Sequence, residues 1–568
     1  MNLKENISAE LLNVLGKEFS AEEVSDLIEV PPSKELGDYS FPCFKLAARL
    51  KKNPNQIASE LKQKLELKKF LFVERIECKG PYLNVFLNYS FLAEKLIPEI
   101  IKKGKKFGFN EPAKKKKVMI EYSSPNTNKP LHIGHLRNDS IGMSLSNIFF
   151  ANGFFPVKAI LINDRGVHIS KSMLAYQKFG KEKLPDKKTD HFVGDYYVLF
   201  NQKAKDNSEL EKEALELLAK WEAKDKKTLA LWKKMNSWSI KGLFQTYKKF
   251  GSEFDVIYKE SDYFDKGKKV IDSGLNKKVF VKDEEENIIV DLSKFDLGKK
   301  VVLRNDGTSI YFTNDLILSV EKFSQFNLEK NIWVVGSEQN FYFQQLFKTL
   351  ELLGFDWVNK CLHYSYGMVY LPEGKMKSRE GKVVDADDLI QELIELSKKE
   401  LKKRNPKLSE KELNKRAEII GIGAIKFFLL RTDAAKDIYF NPSESISFEG
   451  ETSVFIQYSF ARCNSILKKT KQPKKFSFKE LTEEEKNLIS GLSLFPEKVF
   501  SSYKFLSPHI LCHYLLELTS SFNSFYQKCS VLNEKKSLMD SRIALVKSTS
   551  VVLENGLNLL GIKILDEM

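Results

Sequence analysis

Apolar positions change their period twice within the first hundred residues. From Ala47 to Leu65 they recur every three or four residues, as on one face of a helix, and from Phe70 to Leu87 they alternate with polar ones, as in half-buried strands. The lysine runs Lys102 to Lys106 and Lys114 to Lys117, around Gly108 and Pro112, have the composition of an exposed connector. Residues 1–112 therefore read as a separate α+β module. The short apolar strand Val118-Met119-Ile120 then runs into Ser123-Ser124-Pro125-Asn126 and into a helix starting near His132 or Gly134. Strand, loop and helix in that order belong to an open parallel sheet, whose ligands bind at the carboxyl ends of strands.

Two insertions interrupt this α/β pattern, which spans 113–384. One is helical, about 171–250, and most heavily charged from Gln202 to Phe250; the other, about 274–305, is β-rich around the acidic turn Asp283 to Glu286. The α/β pattern resumes at Ile332-Trp333-Val334-Val335-Gly336. From Asp385 to Met568 nearly every window has helical spacing, with only a few breakers such as Pro406, Pro442, Pro473 and Pro508, which predicts an all-helical C-terminal domain.

Composition narrows the class. With 42% apolar and 29% charged residues of mixed sign, the 568-residue chain reads as folded and multi-domain. Its longest apolar runs, such as Phe427 to Leu430, fall far short of the roughly 18 residues that span a membrane. The start, Met1-Asn2-Leu3-Lys4-Glu5, lacks a secretory core, so the cytoplasm is expected. Cys43, Cys78, Cys361, Cys463, Cys512 and Cys529 form no CxxC pair and are expected to be reduced thiols, with no structural zinc. His509 and His513 share a helix face, but no carboxylate completes a metal set. The net charge of +15, from lysine runs, makes nucleic acid a reasonable partner, although such runs also serve as plain solvated faces.

The chemistry concentrates in His132-Ile133-Gly134-His135. Two histidines three apart at a helix start, where unpaired N–H groups and the helix dipole favour anions, suit a triphosphate. Reaction at an α-phosphorus places charge on equatorial oxygens, which imidazole donors stabilise most in the transition state. Gly134, without a Cβ, would let a flat base lie against the backbone. About 240 residues downstream stands the basic loop Lys375-Met376-Lys377-Ser378-Arg379-Glu380-Gly381, whose lysines could grip a leaving pyrophosphate. Taken singly, the tetrad could be two polar residues at a cap and the loop a solvated turn. Small nucleotidyltransferases share the His-x-Gly-His device, and a non-catalytic RNA-binding descendant would also fit the charge.

Together, in this order and spacing, the two resemble the HIGH and KMSKS motifs of class I aminoacyl-tRNA synthetases. The stretch Glu121-Tyr122-Ser123-Ser124-Pro125-Asn126-Thr127-Asn128-Lys129-Pro130-Leu131, running into the tetrad and then Leu136-Arg137-Asn138, is similar to arginyl-tRNA synthetases. So are Leu36-Gly37-Asp38-Tyr39, Val193-Gly194-Asp195-Tyr196-Tyr197, Glu253-Phe254-Asp255-Val256, Asp306-Gly307-Thr308-Ser309 through Asp315, Gln457-Tyr458 through Arg462, and the tail ending Leu560-Gly561. The resemblance implies a Rossmann-like parallel-sheet catalytic domain with insertions, an N-terminal module that touches tRNA, and a helical anticodon-binding domain.

It also implies the ligands: ATP with Mg2+, L-arginine and tRNA(Arg), handled by a monomer. A planar guanidinium needs carboxylates that accept paired N–H bonds. By resemblance, Glu121, Ser124, Asn126, Tyr311, Asp315 and Gln339 hold arginine, with Glu121 and Asp315 as the carboxylates. His132, Gly134, His135 and Lys375 through Arg379 (Lys375, Met376, Lys377, Ser378, Arg379) handle ATP. Lys129 resembles the lysine that replaces the missing second lysine of the downstream loop, and His132, His135, Lys129 and Lys375 are the expected catalytic set. Four positions depart from the family pattern: Lys377, Glu380, Tyr342 where a histidine is common, and Glu451 where an asparagine is common. Tyr458, Arg462, Tyr514 and Tyr526 are candidates for stacking on or bonding to unstacked anticodon bases.

Overall fold

The structure, a computed structural model, describes residues 3–16, 18–68, 70–110, 116–307, 310–370, 384–447 and 449–568. The N-terminal module packs helices against an antiparallel sheet of order β1-β3-β2, from β1 (Tyr39–Pro42), β2 (Val73–Lys79) and β3 (Tyr82–Leu87). Helix Pro54–Glu66 opens with an Asn53 cap and a proline in its first turn, and buries Ile57, Ala58, Leu61 and Leu65 along one face. β1 escapes the alternation rule, being four residues long and buried throughout.

The central sheet is parallel, formed by β4 (Lys117–Glu121), β5 (Phe155–Ile162), β6 (Val256–Lys259), β10 (Lys330–Gly336) and β11 (Cys361–Tyr366) in the order β11-β10-β4-β5-β6. Between β6 and β10 lies the inserted antiparallel sheet of β7 (Phe280–Lys282), β8 (Ile288–Asp291) and β9 (Lys299–Leu303). β4 is the middle strand, and its Val118, Met119 and Ile120 are all fully buried because helices cover both faces. Val118 and Ile120 join the large core that continues into the N- and C-terminal domains. Met119 points the other way, toward Val157, Leu161, Ile317 and Phe323.

The helical insertion comprises Val167–Phe179, Thr189–Asp206, Glu209–Glu222 and Lys226–Phe250, with a core of its own around Tyr176, Phe192 and Leu217. Beyond residue 385 the regular elements of the described chain are helices except for β13 (Ile438–Tyr439), which pairs in parallel with β12 (Val369–Tyr370) and ties the helical segment to the sheet domain. The expected helical C-terminal segment is otherwise what the structure shows; a two-residue strand leaves no period to detect. Asn555 Nδ2 donates to the carbonyls of Gly104 and Phe107, both at 3.0 Å, so the connector after the first module is held against the last helix.

Candidate active site

The tetrad builds its own cap. His132 is the N-cap of helix Ile133–Ala151; its Nδ1 accepts the Gly134 N–H at 3.1 Å, and His135 Nδ1 accepts the His132 N–H at 3.1 Å. A histidine pair thus fills the reciprocal arrangement usually made by a hydroxyl and a carboxylate. A ring nitrogen that accepts carries no proton, so each neutral imidazole has its hydrogen on Nε2. Burial, reinforced by Lys129, pushes His132 down to about 3. Burial, with the His132 and Lys129 charges, takes His135 well below the ordinary histidine range. Both rings are therefore neutral Nε2–H donors near pH 7, with centroids 4.0 Å apart. At Gly134 a Cβ would sit 2.9 Å from Cε1 of His132, so the folded-back ring itself requires glycine there.

The tetrad lines a cleft of about 410 Å³ with Ser123, Ser124, Asn138, Val334 to Gly336, Glu338, Gln339 and Tyr366 to Val369. Its walls are the carboxyl ends of β4, β10 and β11, the position the strand-loop-helix pattern predicts. Ser123 and Ser124 take positive φ values of 77° and 47°, conformations that cost about 1–3 kcal/mol each and persist only where neighbours fix them. Asn138 Oδ1 accepts the Ser123 N–H at 2.6 Å, and Asn163 Nδ2 donates to the Ser124 carbonyl at 3.1 Å. Asn126 bridges Asn163 through the backbone.

Arg137, fully buried, donates to four carbonyls: Gly367 at 2.6 Å, Met368 at 3.2 Å, Ala434 at 3.1 Å and Lys436 at 2.8 Å. On the other side Ala386 N donates to Leu131 O at 3.0 Å, and Ile133 N to Val384 O at 3.3 Å. The chain thus departs toward Lys375 beside Arg137 and returns beside the tetrad. Lys375, Met376, Lys377, Ser378, Arg379 and Glu380 lie outside the described residues. Lys129 lines a smaller hollow of about 170 Å³ with Pro130, His132, Tyr197 and Asp385; burial lowers its pKa.

The expected arginine residues divide into two groups. Ser124 and Gln339 line the tetrad cleft, while Tyr311 and Asp315 stand on helix Tyr311–Phe326. Tyr311 sits at the first position of that helix, and a Cβ on Gly166 would lie 3.0 Å from its hydroxyl. Asp315 accepts a hydrogen bond from the Tyr342 hydroxyl, and burial raises its carboxyl to about 6. Glu121, the other expected carboxylate, lies at the end of β4. Its Oε2 forms an ion pair of 2.6 Å with Lys322, both side chains being almost fully buried. A further acid is Glu260, just past β6. It is buried, its Oε1 accepts from Asn314 Nδ2 at 3.0 Å, and its Oε2 has no hydrogen-bond partner among the described residues. Burial raises Glu260 to about 8, against the pull of Arg165 and with the push of Asp315 and Asp164.

The profile "tRNA synthetases class I (R), catalytic domain" matches residues 96–441; "Arginyl tRNA synthetase N terminal domain" matches 1–87 and "DALR anticodon binding domain" matches 456–568. The chain belongs to the class I arginyl-tRNA synthetase family. It is 43% identical over 560 residues to an arginine–tRNA ligase of Treponema denticola, covering 95% of this chain and 94% of the relative. To that of Borrelia hermsii it is 41% identical over 584 residues, with coverage of 100% and 99%. The solved Thermus thermophilus arginyl-tRNA synthetase superposes with a TM-score of 0.85 at 25% identity, over all of both chains. As a member of this family the protein is an aminoacyl-tRNA ligase that uses ATP.

In the anticodon-binding domain of this synthetase the four candidate residues separate. The Arg462 guanidinium lies over the rings of Tyr458 and Tyr526, 4.9 and 4.7 Å from their centroids, and Arg404 approaches Tyr458 at 5.9 Å. Tyr526 is exposed. Tyr514 is not: it is 2% exposed, its hydroxyl donates to Gly491 O at 3.0 Å, and it stacks on Phe495, so it is core and not an RNA contact. Glu451 is exposed, and its backbone carbonyl accepts from Arg431 Nη1 at 2.8 Å, so this departure from the family asparagine leaves the helix cap at Thr452 intact. One acidic cluster, Asp190, His191 and Asp387, has ligand-like spacing. Lys188 Nζ already lies 2.7 Å from both carboxylates, which makes the cluster a salt-bridged tie between the insertion and the helix after residue 385. Sequence reasoning missed Glu260 and Arg137. The signal for Glu260 was its place immediately after an apolar strand, at the carboxyl edge of the sheet.

Proposed function

We propose that the chain activates L-arginine with Mg-ATP and transfers it to the terminal ribose of tRNA(Arg). The arginine carboxylate attacks the α-phosphorus and pyrophosphate leaves; a ribose hydroxyl, the 2′ one by family resemblance, then attacks the carbonyl of arginyl-adenylate and AMP leaves. His132 and His135 donate through Nε2 to the phosphate oxygens, with Gly134 beneath. Lys129 and Lys375, with Met376, Lys377, Ser378 and Arg379, hold the departing pyrophosphate, and the metal arrives with the substrate phosphates. Asp315 and Glu260 receive the guanidinium, and Tyr311, Asn126, Ser124 and Gln339 orient the rest of the amino acid. Catalysis on this reading is positioning and charge stabilisation, without a covalent enzyme intermediate.

One observation carries the assignment: the half-buried Asp315 is among the charges that raise the buried Glu260, and neither carboxyl has an ion-pair partner among the described residues. A cationic, planar side chain is the ligand that such a pair lacks. The three-part division at 112 and 384 is inferred from the periodicity and composition of the chain, and the monomeric state and the cytoplasmic setting from the family resemblance. The test is ATP–pyrophosphate exchange with each of the twenty amino acids, with and without bulk tRNA. Exchange confined to arginine and dependent on tRNA is expected; exchange with another amino acid overturns the pocket assignment.

A further inference from the structure

Tyr342 stands where the family commonly has a histidine, and it is the residue that holds Asp315. Its hydroxyl donates to Asp315 Oδ2, while Oδ1 takes no hydrogen bond among the described residues. The ring is fixed on three sides: edge-on to Phe312 at 5.7 Å, edge-on to Phe343 at 5.8 Å, and beneath the Lys300 ammonium at 5.2 Å. Lys300 also lies over Phe312 at 5.6 Å. The phenol therefore arrives from a neighbouring helix, Asn340–Leu352, already oriented by packing.

We propose that Tyr342 is a positioning residue for arginine selection: by engaging one oxygen of Asp315 it fixes the carboxylate's rotamer and keeps it ionised, leaving the other oxygen for the guanidinium. This rests on the reading of Asp315 as an arginine ligand. An aspartate side chain on a helix can rotate about two bonds, and each wrong rotamer turns its lone pairs away from the substrate. A phenol donor on one oxygen removes that freedom and favours the charged form. The other groups facing Asp315 are Lys322, whose charge also favours ionisation but is engaged by Glu121, and Glu121, Tyr311 and Glu260, whose negative or potentially negative charges oppose it. Arg165 acts on Glu260 and Tyr311 and has its own ion pair with Glu222 at 2.5 Å. Among these the Tyr342 hydroxyl alone supplies a direct hydrogen bond to the Asp315 side chain.

The experiment is steady-state aminoacylation by the full chain carrying Tyr342→Phe, Tyr342→His or Asp315→Asn, with KM for arginine and for ATP and the pH profile of kcat/KM for arginine. Tyr342→Phe is expected to raise the arginine KM about tenfold, the scale of one hydrogen bond to a charged group, while the ATP KM changes less than about twofold. Its acid limb should move to higher pH, because the carboxylate loses the donor that favoured ionisation; a loss of packing alone would not move it. Tyr342→His, which restores a donor, should recover part of both effects, and it remains informative if the phenylalanine variant folds poorly. An arginine KM and acid limb unchanged in Tyr342→Phe, with Asp315→Asn impaired for arginine, overturns this proposal alone. An unimpaired Asp315→Asn overturns it together with the pocket reading on which it stands.

Discussion

His135 Nδ1 accepts the backbone N–H of His132, so the second histidine of the tetrad fixes the first. The same bond fixes the tautomer of His135. Cap and donor are thus one arrangement, and substitutions can separate them. His135→Ala should lower the activation rate by about 2.7–4 kcal/mol, the cost of one transition-state donor. His132→Asn keeps a good helix cap but places no Nε2–H in the cleft. It should therefore keep its thermal midpoint while losing activation, as read by pyrophosphate exchange beside calorimetry; full exchange in either variant would remove the histidines from the mechanism.

Arginine binding should release a proton. Glu260, raised to about 8 by burial, is largely protonated at pH 7 in the free protein, and Asp315, raised to about 6, is mostly ionised. A guanidinium favours both charged forms, so affinity should climb with pH from about 6 to about 8. Calorimetric titration at pH 7 in buffers of different ionisation enthalpy should detect the proton, and Glu260→Gln should abolish it. Without ligand the sign is opposite. A carboxyl raised in the fold binds more protons there than in the unfolded chain, so its contribution to stability falls as pH rises from the ordinary carboxylate range to about 8.

Lys322→Met should destabilise the protein by about 3–5 kcal/mol, because it leaves the Glu121 carboxylate buried and unpaired. The double variant Lys322→Met with Glu121→Gln should regain most of that loss. Denaturant unfolding measures both. A single variant within 1 kcal/mol of the parent, by the same scale, would mean that water reaches the pair.

Tyr526→Ala should weaken tRNA binding by about 1–3 kcal/mol if a base stacks on the exposed ring beside Arg462, with the ATP KM unchanged. Tyr514→Phe serves as its counterpart. Losing the bond to Gly491 should cost about 1 kcal/mol of stability and leave the tRNA KM unaltered.

The contrast between those two tyrosines shows what the sequence carried. Both lie on helix His509–Lys528, twelve positions apart, which places them on faces about 120° from one another. Aromatic chemistry alone does not tell a buried face from an open one. The tetrad, by contrast, was legible because its parts are adjacent: cap, glycine and donors fall within four residues. The arginine pocket was half legible. Asp315 and Tyr311 share a helix start, but Lys322, which neutralises Glu121, meets it only when a later helix packs on β4. Glu260 becomes an acid of consequence only beside Asn314 and Asp315, which the inserted β7-β8-β9 sheet separates from it in sequence. The helical insertion and the β-rich one were visible from period changes, whereas the two-residue pairing of β12 with β13 was not.

The parallel pairing of β4 with β10 has a consequence for how the protein is made. Asn331 pairs with Met119 and Trp333 with Glu121, so the middle strand waits for a neighbour more than two hundred residues away. On a ribosome adding about 5–20 residues per second, that wait lasts roughly 10 to 42 s. Throughout it, Val118, Met119 and Ile120 have one strand edge open, and the nascent chain is at its most dependent on chaperone cover just before Trp333 emerges.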